Sequence, residues 1–178
     1  MNDTDWIKGI LVDLSHEPDR SLAIIADAYL DDLLETGLRV RLRGSKKSID
    51  AIFGRQGFLA SLAARAQIAH AIGFIDDDEY HDLRIIRRIR NKFAHIPNQI
   101  SFQTPEIADM CNELKYGQML PELQAADNSV FRDTTKQRFI WSAQNLAFGL
   151  WGRYQTARCF QEPDPAHIPG GPPIKSDV

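Results

Sequence analysis

From Asp76 to Ile96 the chain holds neither glycine nor proline, and its apolar residues recur at helical spacing. At about 100° per residue, Ile85, Ile86, Ile89, Phe93 and Ile96 share one arc of about 100°. Arg84, Arg88, Asn91 and His95 gather within about 60° of one another on the opposite side. The pattern predicts a helix with a core-facing isoleucine side and a cationic, hydrogen-bonding stripe. Asp76, with Glu79 three residues on, has the form of a capping box, and Pro97 closes the run. The charges also sort by sign: Asp76, Asp77, Asp78, Glu79 and Asp82 precede Arg84, Arg87, Arg88, Arg90 and Lys92. Acids near a helix start and bases near its end complement the macrodipole, at about 0.3–1 kcal/mol each, so helix stabilisation accounts for part of this order.

The remaining segments read the same way. Asp3, Thr4 and Asp5 offer caps to a helix with Trp6, Ile7, Ile10, Leu11 and Leu14 on one stripe. After Pro18 a helix of about 25 residues carries Leu22, Ile25, Tyr29, Leu30, Leu33, Leu34 and Leu38, with Gly44 as its stop. A short piece over Ser48 to Phe53 leads to a turn bracketed by Gly54 and Gly57, then an alanine-rich segment from Phe58 to Ile72 with Gly73 behind it. Thr104-Pro105 begins a helix through Leu114, and Asp133 to Phe160 forms a long last one, where Gly149 and Gly152 bend it or admit a neighbour. Strict alternation of polar and apolar residues is missing, which argues against a sheet. The fold expected is therefore all-α: one helical bundle over residues 3–160. Five of the nine prolines crowd the last 16 residues beside Gly170-Gly171, so residues 161–178 read as a flexible Pro/Gly-rich tail.

Composition narrows the function. With 21 Lys+Arg against 24 Asp+Glu the net charge is -3, which disfavours a protein that coats nucleic acid but leaves room for a local basic patch. Cys111 and Cys159 lie far apart, with no Cys or His at ligand spacing, so we expect inert thiols, no metal and a reducing cytoplasm. His16, His70, His81 and His167 likewise lack a ligand partner at suitable spacing. The N-terminus lacks signal-peptide order and no apolar run approaches the roughly 18 residues of a membrane span. Neither a P-loop, a GxGxxG after a strand, a Ser-His-Asp set nor HExxH occurs, and no cofactor is implied.

Four blocks carry a resemblance. Arg20-Ser21-Leu22-Ala23-Ile24-Ile25-Ala26-Asp27-Ala28-Tyr29-Leu30-Asp31-Asp32-Leu33-Leu34 comes first. Phe53-Gly54 with Gly57-Phe58-Leu59-Ala60-Ser61-Leu62-Ala63-Ala64-Arg65 follows, then Ala69-His70-Ala71-Ile72-Gly73-Phe74-Ile75, then Ile86-Arg87-Arg88-Ile89-Arg90-Asn91-Lys92-Phe93-Ala94-His95. In this order, over residues 20–95, they resemble the mannitol operon repressor family; after Pro105 the likeness is loose. The resemblance implies an all-helical cytoplasmic regulator or adaptor that acts through a protein partner, without a recognisable DNA-binding motif. The hexapeptide Arg90-Asn91-Lys92-Phe93-Ala94-His95 also resembles the arginine-polar-histidine motif of the HEPN superfamily, many of whose members are metal-independent ribonucleases working as dimers. An alternative function follows from that likeness: an endoribonuclease, as in a toxin, with RNA as substrate and a homodimer as its form. His95 would then act as general acid or base, Arg90 would stabilise phosphorane charge and Asn91 would orient the imidazole or the phosphate. On one ideal helix Arg90 lies about 140° from His95, so convergence needs a distortion near Pro97 or a second copy.

Two further clusters are candidates. Arg39, Arg41, Arg43, Lys46 and Lys47 form the densest basic stretch and, with Arg84 and Arg88, are the expected contacts for phosphate or a protein partner. Asp27, Asp31 and Glu35 recur every fourth residue, a set with the oxygen donors for a divalent cation but expected rather to stay solvated or to pair with cations on a neighbouring helix such as Arg84 and Arg88. Trp141 and Trp151 are read as core, with a dimer interface as the other option.

Overall fold

The computed structural model describes residues 16–96, 100–117 and 134–159. The expected first helix over residues 3–15, Pro97 and the tail from 161 lie outside them. Six α-helices and no strand occur among the described residues: α1 (Asp19–Arg41), α2 (Lys46–Phe53), α3 (Leu62–Ala71), α4 (Asp77–His95), α5 (Pro105–Asn112) and α6 (Thr135–Cys159).

Helix α1 packs against α3, α4 and α6, and α4 in turn touches α3, α5 and α6. Leu22, Ala26, Leu30, Leu34 and Leu38 run down its buried side, each contributing about 1.5–3 kcal/mol of gross burial where the side chain is large. Ile25, expected in that stripe, is instead 38% exposed beside Ile24. It stands more than about 100° from the middle of the buried arc, which Ala23 and Ala26 occupy more closely. Their small side chains bring the neighbouring helices near. Gly37 serves the same end: a Cβ there would fall 2.5 Å from Cζ of the buried Phe74 ring.

One end of the bundle is fastened at the start of α1. Asp19 accepts a hydrogen bond from the Phe102 backbone N–H at 3.0 Å and pairs with Lys136 at 3.2 Å. Arg20 donates to the Ile96 carbonyl at 2.8 Å, tying α1 to the end of α4. Beneath them Phe93, Phe102 and Phe139 form a file of tilted rings with centroids 5.1 and 5.0 Å apart.

Local signals set most boundaries. Ser45 accepts from the Ser48 N–H and starts α2 two residues before the expected Ser48. The following turn runs on to Ser61, which caps α3, so Phe58 is not helical and is 93% exposed. Gly57 is obligatory in that turn, because a Cβ would meet the Ile52 carbonyl oxygen at 2.0 Å. Gly73 ends α3 at φ +68°, the left-handed backbone that glycine adopts without strain. Thr104 precedes α5 but turns its hydroxyl back to the Ser101 N–H, leaving Pro105 to open the helix. For α6 the expected ends, Asp133 and Phe160, are outside the described residues.

Candidate functional site

Helix α4 has the two-sided character its sequence predicts. Ile85, Ile86, Ile89 and Phe93 are buried, while Arg84, Arg88 and His95 are exposed. The capping box is complete: Asp76 accepts from the Glu79 N–H at 2.8 Å and Glu79 accepts from the Asp76 N–H at 3.0 Å.

A cleft of about 250 Å³ opens between α3 and α4. Its floor is Leu62, Ala63, Ala66 and Leu83; its rim is Gln67, Tyr80, Arg84, Arg87, Arg88 and Asn91. The alanines of α3 keep that floor low; on the rim Arg84 and Arg88 are exposed and Arg87 is half-buried. Arg84 lies over the Tyr80 ring at 5.7 Å, and that ring stacks on His70 with centroids 4.7 Å apart. Tyr80 and Arg87 extend the stripe expected from the sequence. On the helical wheel both fall within about 40° of its edge, so a wider arc would have included them.

The acidic stripe on α1 is paired, but not with Arg84 and Arg88. Arg65, almost wholly buried, bridges Asp31 and Glu35, and Arg39 also binds Glu35 at 2.8 Å. Arg90 pairs with Asp27 at 3.2 Å. The reason is depth: Asp27 is buried, and Arg90 sits at the edge of the apolar arc where its head reaches α1, whereas Arg84 and Arg88 point away from the core. Burial pushes the Asp27 carboxyl above its usual range, with Arg90 opposing that rise. Arg65 carried no sequence signal of its own, since its partners lie on another helix.

Arg90 and Asn91 of the hexapeptide are brought together, the guanidinium donating to the Asn91 side-chain oxygen at 3.1 Å. His95 is exposed at the last turn of α4, outside this network. The basic stretch divides. Arg39 binds Glu35 and Asp50 and covers the Phe53 ring at 4.4 Å; Lys46 binds Asp50 at 2.9 Å. These two hydrogen bonds, Lys46 first, hold the Asp50 carboxyl below the usual carboxylate range. Arg41 lies over the Phe74 ring at 5.3 Å, and Arg43 and Lys47 extend into solvent.

One charged residue takes a part the sequence did not suggest. Asp82 is fully buried and accepts from the backbone N–H groups of Lys115 and Tyr116 at 2.8 and 3.0 Å and from the Ser142 hydroxyl at 2.7 Å. Cys111 is a buried thiol whose pKa burial pushes up to about 12. Trp151 is half-buried against the core and Trp141 is half-buried as well. No helix among the described residues is long and apolar enough to cross a membrane.

An all-helical bundle that pairs Asp27, Asp31 and Glu35 internally and turns an arginine face outward is the class of protein that the fold and site define. The mannitol repressor family matches residues 21–147, beyond the blocks legible up to His95 and well into α6. The chain belongs to the mannitol repressor family. Two curated mannitol operon repressors, from Escherichia coli strain K12 and strain O6:H1, are each 26% identical to it over 89 residues. That alignment takes in 48% of this chain and 46% of each relative, so the chain spans about half the length of the curated relatives it matches. Among solved structures, the MtlR–HPr complex from Escherichia coli aligns with a TM-score of 0.65 at 19% identity, covering 82% of this chain and 98% of that one. The fold is shared.

Proposed function

We propose that the chain is a cytoplasmic transcriptional regulator or adaptor that works by docking a protein partner on its helix surfaces. Membership of the mannitol repressor family over residues 21–147 is the observation that carries this reading. The structural relative was solved as a complex with HPr, so the HPr of the same organism is the first partner to test. Arg43 and Lys47 are the proposed contacts within the basic stretch, because Arg39 and Lys46 are held in ion pairs with Asp50 and Arg41 lies over the Phe74 ring.

The test is a titration of the full chain with purified HPr. A saturable complex is expected, weakened in Arg43→Glu/Lys47→Glu and insensitive to added duplex DNA. Failure of HPr to bind, together with tight binding of duplex DNA by the chain alone, overturns the reading. The ribonuclease alternative through Arg90, Asn91 and His95 gains no support from the geometry, since Arg90 is turned to Asp27. RNA cleavage in chelator that is lost in His95→Ala would reinstate it.

A further inference from the structure

The positive charge of the bundle is of two kinds. Arg39, Arg65, Arg90 and Arg153 each hold a carboxylate. Arg84, Arg87 and Arg88 form no ion pair among the described residues, although all three line the same cleft. Arg87 feels Asp27 only at longer range, where that carboxylate is already bound by Arg90. Three like charges within two helical turns repel one another, at a cost of a few tenths of a kcal/mol per i,i+4 pair. An anion in the cleft removes that cost.

The lining specifies which anion. Each guanidinium offers five N–H donors in a planar fork, and three of them exceed what the two oxygens of a single carboxylate can accept. A phosphate monoester, doubly charged and with three terminal oxygens, uses them. The space, about 250 Å³, lies below the roughly 300–1,000 Å³ of drug-sized ligand pockets. It suits a body of a few carbons resting on Leu62, Ala63 and Ala66.

We propose that the cleft between α3 and α4 binds a small molecule bearing a phosphate monoester, held at its phosphoryl oxygens by Arg84, Arg87 and Arg88. This site is distinct from the partner surface around Arg43 and Lys47, so either can fail without the other.

Calorimetric titration of the full chain at low salt tests it, with glycerol 3-phosphate, inorganic phosphate and glycerol as probes. Saturable binding of glycerol 3-phosphate is expected, weaker binding of inorganic phosphate, and none of glycerol. Arg88→Gln weakens glycerol 3-phosphate about tenfold and Arg84→Gln/Arg88→Gln about a hundredfold, the size expected for charge-assisted hydrogen bonds. These side chains face solvent, so an unchanged thermal melt shows the variants folded. Ala63→Leu leaves every charge in place but raises the floor, and it weakens glycerol 3-phosphate more than inorganic phosphate. Absence of glycerol 3-phosphate binding, or affinity unchanged in the double arginine variant, overturns the proposal. Equal affinity for inorganic phosphate and glycerol 3-phosphate overturns the assignment of a carbon body to the cleft.

Discussion

Replacing Asp82 with alanine strips one carboxylate from the centre of the bundle and orphans three donors at once: the Lys115 and Tyr116 N–H groups and the Ser142 hydroxyl. A buried donor left without a partner costs about 1–3 kcal/mol. Ser142 is fully buried and loses the most, whereas the exposed Lys115 and half-buried Tyr116 give their amides some access to water. Taking the low end for each donor, Asp82→Ala destabilises the fold by about 3 kcal/mol. Equilibrium urea unfolding measures it. In a Ser142→Ala background one donor is already gone, so the same substitution costs about 1 kcal/mol less. A loss below about 1 kcal/mol, or an equal loss in both backgrounds, would refute the claim that this carboxylate fastens α4 to α6 and to the end of α5.

Gly37→Ala gains roughly 1 kcal/mol of helix propensity yet drives a methyl into the buried Phe74 ring, so a net loss of about 1–3 kcal/mol is expected by denaturant unfolding; a rise in stability would show that the ring can yield. Cys111, raised to about 12 by burial, stays unlabelled by a thiol reagent at pH 8 in the native chain and reacts on unfolding, and rapid native labelling at this position would contradict its burial. Asp27 has a folded pKa above its ordinary value of 3.8, so its native form favours the proton. Its contribution is greatest below that value and is lost as pH rises through the folded pKa. Asp27→Asn should therefore gain on the wild type as pH rises across that window, and a stability difference that is flat or of opposite slope would refute the sign.

Much of the architecture is legible because it is written in neighbouring residues. The capping box at Asp76 and Glu79, the left-handed Gly73 and the proline at the start of α5 are all local devices that act over three or four positions. The isoleucine arc of α4 is likewise a property of one segment. What the sequence hides is pairing over distance. Arg65 meets Asp31 across 34 positions and Asp82 meets Ser142 across 60. Asp82 was readable in one respect: on the wheel it falls within about 10° of the centre of the isoleucine arc, a place where a carboxylate needs buried donors. Its place in the run of acids ahead of the arginines masks that. The assignment of the acidic stripe to Arg84 and Arg88 failed for a related reason, because charge sign fixes which pairs attract but only helix packing decides which ones meet.

Gly149 opens α6 at one point, where any larger residue would crowd the Glu79 carboxylate at 3.0 Å and the Arg153 guanidinium at 3.3 Å. Through that gap Glu79 holds the first turn of α4 with one oxygen and Arg153 of α6 with the other, at 2.7 Å. The beginning of α4 and the later part of α6 thus share a latch. In hydrogen exchange the amides of these two stretches should open as one cooperative unit, with a common free energy that falls for both when Arg153 is removed.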